Sequence, residues 1–293
     1  MALLGIGGIG KTTLAAGLAQ SVAHSFERVY WRSLRNAPPV GEWLPGAIGF
    51  LSDQQVVPPA AESEQVPALV QLLRTRRTLL VLDNSETLFE PAQPETTYRH
   101  GMEGYGRLFQ VVGETSHQSC FLLTSREAPP ELMVLGAGVR TLELHGLRSE
   151  EAQGMLADKQ LFGDTNTWLS LVERYGGNGL ALKIVGDAIR QIYDGDVAAF
   201  LNDAIAIYGT VFGGIRRLLD DQVQRLSPME FAVLTRLAIE REPVSLSELV
   251  RDLAPNFPNT RSSRQSKRCV DARSWSEAKG KQASRCSRWC SNT

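Results

Sequence analysis

Long apolar runs are missing from this sequence of 293 residues. No stretch of about eighteen uninterrupted apolar residues occurs, so the pattern gives no membrane-spanning helix. Charge of either sign is also not in excess. The net charge of −1 gives the molecule as a whole no bias toward nucleic acid or membrane surfaces. Cysteine is scarce and unevenly placed. Cys120 sits in an apolar stretch and reads as a buried free thiol, while Cys269, Cys286 and Cys290 all fall near the end. His24, His100, His117 and His145 include no pair with metal-ligand spacing. Met1 already borders the first apolar strand, so no targeting segment is expected ahead of it and a cytoplasmic location is expected.

What is present begins at once. Residues 1–13 read Met-Ala-Leu-Leu-Gly-Ile-Gly-Gly-Ile-Gly-Lys-Thr-Thr. Gly5, Gly10, Lys11 and Thr12 satisfy G-x-x-x-x-G-K-[ST], the phosphate-binding Walker A loop. A phosphate chain needs several inward-turned backbone N–H groups, which glycine's conformational range permits, and a helix opening behind them. Gly5, Gly7, Gly8, Ile9, Gly10, Lys11, Thr12 and Thr13 are the cofactor-binding candidates, with Lys11 on the outer phosphates and the Thr12 hydroxyl on Mg²⁺. Leu14, Leu18 and Val22 follow at helical spacing, with Ala15, Ala19 and Ala23 beside them.

Further along, 28–34 reads as a strand. The Pro- and Gly-rich 36–61 is mostly connection with a short helix at 43–51, and 66–77 is an amphipathic helix ending in a basic turn. Thr-Leu-Leu-Val-Leu-Asp at 78–83 is the near-continuous apolar run of a parallel strand buried on both faces. Its terminal acid, Asp83, is a Walker B candidate for holding Mg²⁺. An insertion at 84–118 ends in a helix at 106–114. Strand 119–124 is followed by Ser125 and Arg126, and 139–144 reads as a fifth strand. An arginine at that strand end can face a γ-phosphate and report it; the plainer alternative is a surface arginine. Asp83 and Arg126 are thus the catalytic candidates, and Thr12 and Asp83 the metal candidates. Strand–helix alternation predicts an α/β fold with a doubly wound parallel sheet.

After residue 147 the pattern is helical only. Ser149 is a candidate N-cap, and helices are expected at 150–161, 166–175, 180–193 and 197–206, with Gly176-Gly177-Asn178-Gly179 between the second and third. A helix at 212–226 follows. Ser227 to Glu230 and Ser245 to Glu248 then read as capping boxes, the first opening a helix whose stripe is Phe231, Leu234 and Leu237. This pair resembles a helix-turn-helix, but a DNA reader needs a basic second helix, and Glu248, Arg251 and Asp252 do not supply one. DNA is therefore not the expected partner.

Four stretches in order, Gly-Ile-Gly-Gly-Ile-Gly-Lys-Thr-Thr at 5–13, Leu-Leu-Val-Leu-Asp-Asn at 79–84, Leu-Leu-Thr-Ser-Arg-Glu at 122–127 and Gly-Asn-Gly-Leu-Ala-Leu at 177–182, resemble the NB-ARC group of STAND nucleotide-binding switches. The resemblance implies a P-loop domain (1–146), a helical domain (147–209) and a partial winged-helix domain (210–255) closing over ADP. It also implies exchange for ATP that permits oligomerisation, and sensor repeats downstream, often of WD type. Gly179 and Leu180 take the place of a Pro-Leu pair that lies near the nucleotide in that family. Gly179 in place of proline loosens the backbone there. Asn84 stands where many relatives have a second acid and cannot act as a base; Glu86 is nearby but off that pattern. Slow or no hydrolysis is expected of an ADP/ATP-binding switch module; the alternatives are a P-loop NTPase with real turnover and a non-functional gene remnant.

From residue 256 the composition breaks. Nine basic against two acidic residues follow, with no apolar periodicity. A basic disordered tail, a weak cysteine metal site and translation out of frame are the three readings. Out-of-frame translation is preferred, with truncation at both ends as its corollary.

Overall fold

The computed structural model describes residues 1–93, 95–203, 220, 223–240 and 246–253. They fall into two compact units, one made of 1–90 and 95–144, the other of 91–94 and 145–293.

The first unit is built on five parallel strands: β1 (Ala2–Leu4), β2 (Arg28–Ser33), β3 (Thr78–Asp83), β4 (Cys120–Ser125) and β5 (Thr141–Glu143), in the order β2-β3-β4-β1-β5. Strand side chains alternate between faces, and the two resulting cores can be read off β3. Leu80 and Leu82 face one core with helices α2 (Val40–Leu51), α3 (Glu62–Thr75) and α4 (Gly104–Glu114). Leu79 and Val81 face the other, under α1 (Lys11–Val22). α1 meets the sheet through its small side chains: Ala15 and Ala19 are buried, while Leu14 at the same helical spacing is exposed. The expected doubly wound parallel sheet is therefore present, and no helix among the described residues is long and apolar enough to cross a membrane.

Element boundaries moved where the signal was polar rather than apolar. α3 starts at Glu62 and not at residue 66, because Glu62 and Glu64 occupy its first turn, where acids suit the dipole. α2 likewise starts at Val40, after Pro39. β5 shrinks to three exposed residues at the sheet edge. Cys120 is a free thiol as expected, but only half buried.

The second unit contains helices α5 (Ser149–Met155), α6 (Thr165–Arg174), α7 (Gly179–Ile192), α8 (Val197–Asn202), α9 (Pro228–Glu240) and α10 (Leu246–Leu253). Trp168, Leu171, Leu182, Val185, Ile189 and Phe200 belong to its core. Asp164, Asn178 and Asp196 cap α6, α7 and α8, each accepting hydrogen bonds from first-turn amides. Ser149 is not the N-cap of α5. Arg148 holds that position, because the Glu151 carboxylate reaches back to the Arg148 amide at 2.8 Å. α5 ends at Met155, short of the expected 161, and one 3₁₀ turn and a left-handed Gln160 follow. The Ser227–Glu230 capping box is complete: the Ser227 amide donates to the Glu230 carboxylate at 2.9 Å and the Glu230 amide to the Ser227 hydroxyl at 3.2 Å. Phe231, expected on the apolar stripe of α9, is half exposed. Ser245, most of 212–226 and all of 256–293 lie outside the described residues.

One contact in this unit is backbone on backbone. The Leu147 amide donates to the Gly177 carbonyl at 2.9 Å, and Gly177 takes φ +65°. A Cβ on Gly177 would lie 2.5 Å from the Leu147 oxygen. Gly177→Ala should therefore destabilise this unit by about 2 kcal/mol or more. Gly154→Ala, on α5 with open space around it, should instead stabilise by up to about 1 kcal/mol. Urea unfolding of the two variants checks this; equal effects would mean that the contact does not constrain the fold.

Candidate functional site

The site grows from the end of β1. Residues 5–10 turn back from the strand and open α1, with Gly8 and Gly10 at φ 78° and 110°. Lys11, the first residue of α1, is only 8% exposed. Its ammonium donates to the carbonyls of Gly5 at 2.7 Å and Ile6 at 3.1 Å, two of its three N–H directions. Burial lowers its pKa below the ordinary lysine value. Glu86 opposes that shift, Arg126 adds to it and Asp83 opposes it. All three of these charges are thus close enough to act on Lys11.

Asp83 ends β3 and is almost fully buried. Its Oδ1 accepts from the Thr12 hydroxyl at 2.8 Å and from the Thr124 hydroxyl at 2.5 Å. Thr124 in turn accepts from the Asn84 amide at 3.0 Å. α1, β3 and β4 are thereby tied through one carboxylate oxygen. Asn84 takes φ 64° and redirects the chain into a 3₁₀ turn, Ser85–Leu88. That turn buries Glu86, whose Oε1 lies 3.3 Å from Arg126 Nε. The Arg126 guanidinium also lies against the loop: a Cβ on Gly7 would meet its Cζ at 3.0 Å.

Of the candidates, the loop glycines, Lys11, Thr12, Asp83 and Arg126 come together at the carboxyl edge of the sheet. Ile9 contributes from beneath, with its side chain buried and its Cγ2 close to Gly5. Thr13 is exposed on the first turn of α1. Gly179 and Leu180 are the first two residues of α7 in the second unit; Asn178 Oδ1 accepts from the amides of Leu180 at 3.2 Å and Ala181 at 3.1 Å. Gly179 is buried and Leu180 is 43% exposed.

Two residues went unassigned in the sequence. Thr124 is fully buried in an otherwise apolar strand, and a hydroxyl at that depth needs a partner. Glu86 is an acid three residues past Asp83, and only the left-handed turn at Asn84 shows where it goes.

A model of the NACHT domain matches residues 1–160, more than half of the chain. An uncharacterized WD repeat-containing protein of Nostoc sp. is 45% identical over 271 residues, covering 87% of this chain. The chain spans 21% of that relative's length. Among solved structures, the ORC2 protein of Aeropyrum pernix in ADPNP–ADP complexes has a TM-score of 0.50 at 16% identity, covering 94% of this chain and 79% of that one, a likeness of fold. A STAND protein with a tetratricopeptide repeat sensor from Pyrococcus horikoshii has a TM-score of 0.49 at 17% identity, covering 85% of this chain and 33% of that one.

Thr124→Val tests how the carboxylate is held. It removes a donor to Asp83 and the acceptor of the Asn84 amide, and should cost about 1–3 kcal/mol of stability. Thr13→Val, exposed on the same edge, should cost little. Urea midpoints compare the two, and a Thr124→Val midpoint equal to wild type would refute the bridging role.

Proposed function

This chain belongs to the NACHT domain family of STAND P-loop NTPases, and from that premise we propose that it is an ADP/ATP-binding switch module. The observation that carries the reading is the meeting of loop 5–10, buried Lys11, the Thr12–Asp83–Thr124 chain and the Arg126–Glu86 pair on one sheet edge. The loop amides hold the phosphates, and Lys11 takes the outer ones. Thr12 and Asp83 are hard oxygen donors 2.8 Å apart, which suits Mg²⁺. Among the described residues no three acids, histidines or cysteines gather into a metal cluster, so further ligands come from phosphate and water. Mg²⁺, when bound, neutralises phosphate charge.

Arg126 supplies the distinction between nucleotides. A γ-phosphate offers it more negative charge than the Glu86 carboxylate does. ATP therefore draws the guanidinium from Glu86, and ADP leaves the pair closed. Such a difference in contact is what any nucleotide-driven population shift requires. Hydrolysis is slow, because Asn84 cannot act as a base and Glu86 is tied to Arg126. The burial of Glu86 beside the loop also favours a second reading. Once released by Arg126, its carboxylate positions water, and the chain turns ATP over as an enzyme.

We propose for the finer organisation the NB-ARC one that the resemblance implies: a P-loop domain at 1–146, a helical domain at 147–209 carrying Gly179 and Leu180, and a partial winged helix at 210–255, part of which lies outside the described residues. The WD-repeat description of the Nostoc relative supports signalling in which a repeat sensor controls this module. Self-association and sensor or effector domains are the proposed protein partners, in the cytoplasm.

The nucleotide released on denaturing the purified chain tests the reading. Near-stoichiometric ADP is expected, absent from Lys11→Ala, and ATP–Mg²⁺ at about a hundred times Kd should stabilise the wild type by about 3 kcal/mol. An empty wild type that is not stabilised by either nucleotide overturns the proposal. Turnover lost in Glu86→Gln with binding retained would favour the enzyme reading.

A further inference from the structure

A second concave site lies on the same carboxyl edge, beside the end of β2. A cavity of about 560 Å³ opens between the end of that strand, the following turn and the first turn of α2, lined by Arg32, Ser33, Arg35, Asn36, Pro38 and Glu42. Arg32 shares the face of β2 that carries Tyr30, whose ring stacks on Trp43 of α2. The nearby Tyr105 hydroxyl is already committed, donating to the Pro38 carbonyl at 2.7 Å and accepting from Trp43 Nε1 at 2.9 Å. Arg32 Nε is left buried with no hydrogen-bond partner. Among the described residues neither Arg32 nor Arg35 has an ion-pair partner. The turn itself holds Ala37 at φ 43°, fixed by the Ala37 amide on the Leu34 carbonyl at 2.7 Å.

Two guanidiniums without an ion-pair partner, sharing a concave wall with the single Glu42 carboxylate, can recognise an oxyanion, and a planar N–H fork suits phosphate in particular. The volume is enough for a small ligand in a half-open cleft. The α2 N-terminus adds its positive dipole end. Glu42, on the opposite side of the chemistry, accepts hydrogen bonds and so suits a ligand that also carries hydroxyl or amino groups.

We propose that this cavity binds a small phosphorylated ligand of nucleoside monophosphate size, separate from the loop at 5–10, with Arg32 and Arg35 on the phosphate and Ser33 and Asn36 beside it. The site is wired to the Asp83 turn. The Leu34 amide donates to the Asp83 carbonyl at 2.7 Å, and the Thr87 hydroxyl donates to the Leu34 carbonyl at 2.6 Å. A ligand that reshapes the 34–37 turn therefore acts on the segment carrying Asp83 and Glu86, which makes the cavity an effector site.

Isothermal titration of the full chain carrying Lys11→Ala, with inorganic pyrophosphate in one arm and AMP in the other, tests this. Saturable binding of one equivalent is expected in at least one arm. Tighter AMP binding would identify a nucleotide ligand, and binding of pyrophosphate alone a free phosphate compound. Arg35→Gln should weaken it by about tenfold, the loss of one charge-assisted contact, and the Arg32→Gln/Arg35→Gln pair should abolish it. If the double variant fails to fold, exposed Arg35 substituted by Gln and by Glu carries the test. No saturable binding in either arm, or binding untouched by the arginine variants, overturns the proposal. Nucleotide content of the wild type reports the loop site separately, so the two readings fail independently.

Discussion

Everything at the carboxyl edge depends on how one buried carboxylate is satisfied. Asp83 ends a strand that is buried on both faces, so its charge has little water to face. A buried ionised group is tolerated only when hydrogen-bonded or paired. Two hydroxyls, from Thr12 and Thr124, meet that need on one oxygen. The sheet order makes this possible. β4 lies between β1 and β3, so Thr124 is a lateral neighbour, while Thr12 arrives only because α1 crosses back over the sheet toward β3. The small buried face of α1, Ala15 and Ala19, lets the helix lie close enough for that reach. Core packing and site geometry are here one requirement.

The second constraint is charge balance. Lys11, Arg126, Asp83 and Glu86 place two cations and two carboxylates on one dry edge, and each perturbs Lys11. Their charges sum to zero. A triphosphate entering this edge brings several negative charges at once. On the proposed nucleotide-binding reading it would draw on both cations, and the carboxylates would then face Mg²⁺ or water. That change in charge balance is what the proposed switch, and equally a hydrolase, would use. Leu34 extends the same network outward, since its backbone bonds hold the β2 turn to the Asp83 turn.

The local half of this was legible in the sequence. The loop, the apolar runs of β3 and β4, the order of strand and helix, and the Ser227–Glu230 box are all short-range patterns whose physics is complete within a few residues. What was not legible depends on where the chain goes next. Arg148 displaced Ser149 as a cap because Glu151 chose its amide, a competition between neighbours of nearly equal merit. α3 began early because its first turn is polar, and apolar periodicity is silent there. Thr124 looked like one more strand residue until β3 and β4 were placed in register. Glu86 looked displaced from its pattern because sequence spacing assumes a regular continuation, whereas Asn84 turns left-handed and swings the following residues under the loop.

The glycines of the loop make the same point from the other direction. Gly5, Gly8 and Gly10 take positive φ, and their identity follows from backbone conformation alone. Gly7 does not. It is buried, and the space its absent Cβ would fill is held by the Arg126 guanidinium. That guanidinium also lies 3.3 Å from the Glu86 carboxylate, an ion pair without a hydrogen bond at Nε. A Cβ at position 7 would lie 3.0 Å from the Arg126 Cζ, so the guanidinium would have to shift by a few tenths of an ångström. The absence of a side chain at Gly7 is thus matched to the position of Arg126 as well as to the turn of the loop. A phosphate-binding loop can be recognised without that knowledge. That Arg126 packs against the loop at Gly7 and beside Glu86 needs the turn at Asn84 and the clearance at Gly7 together.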